Sequence, residues 1–217
     1  MNVASMICYE SPALLALNKP PGLAVQAKDA SDLFSILQRQ HSEIRLLNRI
    51  DQPASGLVLF ARNSFSAARL SQQLRQGRFE KTYLAVVGQQ PKQDEGLLIH
   101  YLLKQKGTNR SVVTKKQVHQ AKEARLSYKV IGQSDHYHLL EIKLLTGRHH
   151  QIRVQLAALG MPIKGDVKYG FRRSNRDRSI HLHAFAVQLT DPATGKNVKV
   201  VADPPDEILW NHFKIGI

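Results

Sequence analysis

The stretch that decides the fold is Leu46-Leu47-Asn48-Arg49-Ile50-Asp51-Gln52-Pro53-Ala54-Ser55-Gly56-Leu57-Val58-Leu59-Phe60-Ala61. Its second half, from Gly56 to Ala61, is a short unbroken apolar run behind a Pro and a Gly, which reads as a buried strand. Its first half sets a single carboxylate, Asp51, between Arg49 and Pro53. An acid at the mouth of such a turn is open to four readings: helix cap, turn former, metal ligand or nucleophile.

Outward from this stretch, short apolar runs alternate with turn signals and a few helices. Residues 13–17 read as a strand that ends at Asn18-Lys19-Pro20-Pro21-Gly22. Ser31 is placed to cap a helix through Arg39. Residues 64–76 read as a helix with Ala67, Leu70 and Leu74 on one face, closed by Gly77. Residues 79–87, 97–103, 124–131 and 137–145 read as strands. Residues 148–159 form a second helix with the stripe Ile152, Leu156 and Leu159. A final hairpin is expected around Asp191-Pro192-Ala193-Thr194-Gly195. The polar segment Lys104 to Glu123 reads as a long excursion or extended hairpin, mobile in the free protein. Most connections are too short for parallel crossovers. The expected class is therefore α+β, one domain over residues 1–217 with a mixed, largely antiparallel sheet flanked by helices.

The chain of 217 residues carries 31 Lys and Arg against 17 Asp and Glu, a net charge of +14. That surplus favours a polyanionic partner, nucleic acid first and an anionic membrane second. Cys8 is the one cysteine, so no internal disulfide and no Cys-rich zinc site can form. The N-terminus lacks the basic start and long apolar run of a signal peptide, and no apolar segment approaches the roughly 18 residues needed to span a bilayer. A cytoplasmic soluble protein is expected.

Four groups of residues could carry chemistry. Asp51 is nucleophilic only when ionised and placed against an electrophile, and a nearby arginine would favour that charge. Arg153, in Gly147-Arg148-His149-His150-Gln151-Ile152-Arg153, lies at the edge of the apolar stripe one turn from His149; its stem can rest on the core while the guanidinium reaches a cleft. Tyr83 shares a strand face with Phe79, Lys81 and Ala85, where it is either an ordinary half-buried strand tyrosine or a platform for a base. His181 and His183 share a strand face at a spacing that suits zinc, yet no third ligand follows at tight spacing, and no metal is expected. His149 and His150, adjacent on a helix, should point different ways. Gly165 and Gly170 match neither a P-loop nor a dinucleotide fingerprint.

Taken together and in order, these motifs resemble the RluA-type pseudouridine synthases. The matching segments are Leu14 to Gly22 with its Asn-Lys-Pro turn, Arg49-Ile50-Asp51 with Ser55-Gly56-Leu57, Lys81-Thr82-Tyr83-Leu84-Ala85, and Thr146 to Arg153. Leu156 to Gly170, Leu182-His183-Ala184 and the Asp-Pro…Thr-Gly turn continue the match. Asn48 stands where many members have His, and Ala54 where many have Thr. The resemblance implies a single catalytic domain with a central active-site cleft and no preceding small RNA-binding S4 domain. It implies an RNA isomerase that acts on flipped uridines of ribosomal or transfer RNA, as a monomer and without cofactor. Asp51 falls on the catalytic aspartate, Tyr83 on the active-site tyrosine and Arg153 on the arginine that pairs with the aspartate; Lys19, Arg49, Arg148, His150 and Gln151 are the expected RNA contacts. Whether the aspartate attacks C1′, attacks C6 or removes the C2′ proton stays open. So do two other readings, an inactive RNA-binding module of the same fold and a hydrolase built on the histidines.

Overall fold

In chain order the elements are β1 (Ile7–Glu10), β2 (Leu14–Lys19), α1 (Leu33–Gln40), β3 (Arg45–Leu46), β4 (Ser55–Ala61), α2 (Ser64–Arg75), β5 (Glu80–Val87), β6 (Glu95–Gln105), β7 (Arg110–Thr114), β8 (Lys122–Gln133), β9 (His138–Leu144), α3 (Gln151–Ala158), β10 (Leu182–Thr190), β11 (Asn197–Val201) and α4 (Ile208–His212). This computed structural model describes residues 2–27 and 31–213. The class is α+β, with a mixed and largely antiparallel sheet. The chain divides into two compact units, Met1–Lys81 with His183–Asp206, and Thr82–Leu182 with Glu207–Ile217.

In the first unit the apolar run behind Asp51 is β4, and all seven of its residues are buried. Antiparallel β2 covers one edge along its length, from Leu14↔Ala61 to Lys19↔Gly56. The other edge is shared. Two-residue β3 takes the Phe60–Ala61 end and β10 takes the Ser55–Gly56 end in parallel. Between them the Asn48 amide stands in for a missing strand: it accepts from Leu59 N at 2.7 Å and donates to Leu57 O at 3.3 Å. Leu33 and Leu37, one turn apart on α1, are buried with Leu15, Leu17, Val58 and Phe60 in one apolar cluster. Each such side chain contributes about 1.5–3 kcal/mol. The α1 cap is Asp32, not the expected Ser31: Asp32 Oδ1 accepts from Ser35 N at 2.9 Å, and a carboxylate does this at least as well as a hydroxyl.

The second unit is an antiparallel run in the order β5-β9-β8-β6-β7. Leu102, Ala124, Val154 and Tyr169 form a buried cluster beneath α3. The polar Lys104–Glu123 segment is an extended hairpin whose second arm, β7, pairs from Tyr101↔Thr114 to Gln105↔Arg110. Helix α3 starts at Gln151 rather than at residue 148. The reason is His150, whose φ of 54° is left-handed and breaks the helix on its N-terminal side. Sequence patterning did not indicate β1, β3 or α4. The last is capped by Glu207 Oε2, which accepts from Leu209 N and Trp210 N at 3.1 and 3.4 Å.

Candidate active site

The Asp51 turn is built on a buried lysine. Lys19 ends β2, is 0 % exposed, and its ammonium donates to the carbonyls of Pro20, Gln52 and Ala54 at 2.8, 3.3 and 2.7 Å. Three protons meet three acceptors, two of which flank Pro53 in the turn itself. Gly22 N donates to Gln52 O at 2.9 Å, Gln52 Nε2 returns a bond to Gly22 O at 3.0 Å, and Ala54 N closes onto Asp51 O at 3.0 Å. Burial pushes the Lys19 ammonium down to about 7, while the negative charge of Asp51 pulls it back up. Asp51 itself is half-buried and Arg49 is exposed. Lys19 was expected to contact RNA; the geometry gives it the task of stapling the acid's loop.

Behind the turn, Ser55-Gly56 meets β10. Ser55 Oγ and His183 Nδ1 are 2.8 Å apart, and His183 Nε2 lies 2.8 Å from Ala202 O. A carbonyl only accepts, so Nε2 carries the proton and Nδ1 accepts from the serine hydroxyl. Burial pushes this imidazole down to about 4, so it is neutral at pH 7. A Cβ on Gly56 would lie 2.4 Å from Ala184 O, at a φ of +109°. Only glycine lets the two strands approach this closely.

In the second unit Arg153 is 4 % exposed and Asp166 1 %. Arg153 Nε donates to Asp166 Oδ2 at 2.7 Å and Nη2 to Oδ1 at 2.8 Å, a bidentate pair that takes two of the five guanidinium N–H donors. The guanidinium carbon also sits 5.0 Å from the centre of the Tyr169 ring. Tyr169 Oη accepts from Ser111 N at 2.9 Å and shares a hydrogen bond with His150 Nδ1 at 2.8 Å. Position, charge and face of Arg153 are thus fixed by groups from β7, from the turn before α3 and from the 166–170 turn.

The other residues predicted in this motif each hydrogen-bond within the protein. Gln151 Oε1 accepts from Thr146 Oγ1 and Arg148 N at 2.8 and 3.0 Å, while its Nε2 donates to Arg125 O at 3.0 Å. His150 is buried, and Arg148 is exposed with Nε on Glu123 O at 2.9 Å. His149 and His150 do not point apart as a helix would require. Their rings stack with centroids 3.8 Å apart, because the left-handed His150 turns its side chain back over its neighbour. His149 is tied to the hairpin, Nδ1 to Ser111 Oγ at 2.9 Å and Nε2 to Asn109 Oδ1 at 3.0 Å. Tyr83 is half-buried on β5 opposite Ile142. Both ring nitrogens of His181 are engaged too, Nδ1 with Asn175 at 3.1 Å and Nε2 with Glu207 at 3.0 Å.

Each unit therefore presents one prepared group. The first offers a carboxylate on a loop fixed from below by Lys19. The second offers a buried guanidinium held by Asp166 and Tyr169. Neither Asp166 nor Tyr169 stands out in the sequence, where the sign of their role is an acid between glycines thirteen residues beyond the arginine.

The model of the RNA pseudouridylate synthase family matches residues 13–158. A ribosomal large subunit pseudouridine synthase C from Rickettsia bellii is 33 % identical over 206 residues, covering 92 % of this chain and 68 % of that one. An uncharacterized RNA pseudouridine synthase from Bacillus subtilis is 30 % identical over 211 residues, with the same shares. Among solved structures, human RNA pseudouridylate synthase domain containing 1 superposes with a TM-score of 0.75 at 25 % identity, covering 92 % of this chain and 83 % of that one. Human RNA pseudouridylate synthase domain containing 4 shares the fold with a TM-score of 0.78 at 22 % identity, covering 97 % and 92 %.

Proposed function

The chain belongs to the RNA pseudouridylate synthase family of isomerases, and from that premise we propose that it converts specific uridines of ribosomal RNA to pseudouridine, with Asp51 as the catalytic carboxylate. The observation that carries this reading is the Asp51 turn, stapled from beneath by a buried ammonium whose three protons all go to backbone carbonyls. A loop that must only change direction does not need a buried charge to hold it; a loop that must aim an acid does. Tyr83 lies against the uracil ring, and its hydroxyl is the candidate for proton removal at C5. Arg153 is the proposed orienting partner of the catalytic carboxylate, a role its planar, charged fork suits. Asp166 and Tyr169 are positioning residues that act through Arg153.

The target uridine has to leave its stack, at a cost of a few kcal/mol. The surplus of positive charge offsets part of this through phosphate contacts, Arg49 and Arg148 among them, so binding weakens as salt rises. The names of the bacterial relatives point to ribosomal RNA as the substrate class. Reaction takes place in the cytoplasm, on a monomer and without a cofactor.

The test is total RNA from cells lacking the gene, incubated with purified protein and no added metal. Pseudouridine should appear at discrete ribosomal positions. Asp51→Asn and Asp51→Ala should lower the rate on the order of 10³-fold or more. Full activity in Asp51→Asn rejects the mechanism. RNA that is bound but unchanged identifies a binding module, and strand cleavage identifies a hydrolase.

A further inference from the structure

A groove of about 570 Å³ in the first unit runs beside the chain that leads into the Asp51 turn. Its lining joins the half-buried Phe34 and Leu46, taken as an apolar floor, to the side chains of Gln26, Gln38, Arg45 and Arg49. The floor is backed by the core: the Phe34 ring stacks on Phe60 with centroids 6.2 Å apart and planes 14° from parallel. Gln26, Gln38, Arg45 and Arg49 are exposed. Arg45 has Glu43 at 3.3 Å, but both are solvated, and such a pair is worth little against a phosphate. Asn48 also lines the groove, yet its amide oxygen and nitrogen are taken up by Leu59 N and Leu57 O, so it is wall and not reader.

These parts have the chemistry of a nucleotide site. A flat apolar floor suits the face of a base. Side-chain amides carry donor and acceptor together, as base edges do. Two cations stand ready for phosphate, and the volume is of the size that small ligands occupy. Arg49 is two residues from Asp51. The groove thus lies within reach of a nucleotide next to one held at Asp51.

We propose that this groove is a subsite for a nucleotide flanking the target uridine in single-stranded RNA, with Gln26 and Gln38 reading the base edge and Arg45 holding its phosphate. The proposal rests on Asp51 as the catalytic carboxylate, since that fixes where the target lies. It turns the groove into a determinant of which uridines are chosen.

Fluorescein-labelled single-stranded oligoribonucleotides with one central uridine test it on the full chain, by anisotropy. Each neighbouring nucleotide is presented intact or abasic. Removing the base that fills the groove should weaken wild-type binding about tenfold. The double variant Gln26→Ala/Gln38→Ala should bind the intact probe more weakly and lose clearly less than wild type does on going to the abasic one, since only the stacking on the floor then remains. Arg45→Ala should weaken all probes alike and reduce the salt dependence. All three side chains are exposed, so unchanged melting temperatures are expected. The proposal is overturned if the double variant discriminates intact from abasic probes as well as wild type does, or if neither abasic neighbour costs wild type any affinity. Asp51→Asn separates this from the reaction itself. Loss of isomerisation with discrimination intact supports both. Discrimination in a chain that forms no pseudouridine keeps the subsite and removes the reaction. Isomerisation without discrimination does the reverse.

Discussion

Lys19 in the first unit and Arg153 in the second are both buried cations, but they are satisfied in different ways. Lys19 gives its three protons to neutral carbonyls, all from its own turn or the Asp51 turn. Arg153 is matched to a buried carboxylate and an aromatic face. The ammonium is a point with three directions, so it can gather a folded-back loop around itself. The guanidinium is a rigid planar fork, so it needs a planar anion and keeps its charge at any pH the protein meets. The first arrangement shapes backbone; the second orients a charge.

The comparison is broken most severely at Asp166. Asp166→Asn removes the carboxylate that grips the buried Arg153 guanidinium at two points and should cost about 4 kcal/mol in urea denaturation. Replacing both members, Asp166→Leu with Arg153→Met, should recover most of that stability while leaving the enzyme inactive. If the single variant costs less than the double, the pair is not the compensated unit described here.

Lys19→Met should cost about 3 kcal/mol, because three turn carbonyls lose their donor. Lys19→Arg should not restore stability, since a planar fork cannot reach three converging oxygens. Restoration by arginine, read as a recovered melting temperature, would erase the distinction between the two cations.

Acid gives a smaller effect. His183 is held near 4 in the folded chain against an ordinary value of 6.5, so the unfolded chain takes up the proton first. Stability is complete above about 6.5 and falls as pH drops toward 4. Between pH 7 and pH 5 the loss from this residue is about 2 kcal/mol, and His183→Gln should remove that part of the pH dependence of the urea midpoint. The smallest effect is expected at Asn48→Ala, about 1 kcal/mol, from the two bonds with which the amide completes the edge of β4.

The strands were legible wherever an apolar run was bounded by turn residues, as in β2 and β4. They were not legible where the run was short or half polar. The two residues of β3 hold their place only because β4 already exists, and β7 alternates too weakly to be told from a loop. The motif residues Asp51, Tyr83 and Arg153 could be singled out by kind and spacing. Their supports could not. Lysine is seldom buried, so nothing in Asn18-Lys19-Pro20 announces a fully enclosed ammonium. Asp166 lies in a glycine-bounded turn and acquires its meaning only from the helix folded over it. The left-handed His150 reversed the expectation for its neighbour, since helical periodicity fails at the first residue that leaves helical geometry.

The first unit is interrupted in sequence, and this has a consequence for its birth. The Ser55 hydroxyl waits for an imidazole 128 residues later, and the same strand completes the edge of β4. At elongation rates of about 5–20 residues per second that is a delay of roughly 6–26 seconds. Throughout it, the Ser55–Gly56 end of a fully buried strand stays open to whatever else emerges from the ribosome. A chain of this topology would thus pass its most vulnerable interval while still tethered to a ribosome, with its own closing segment as the shield not yet made.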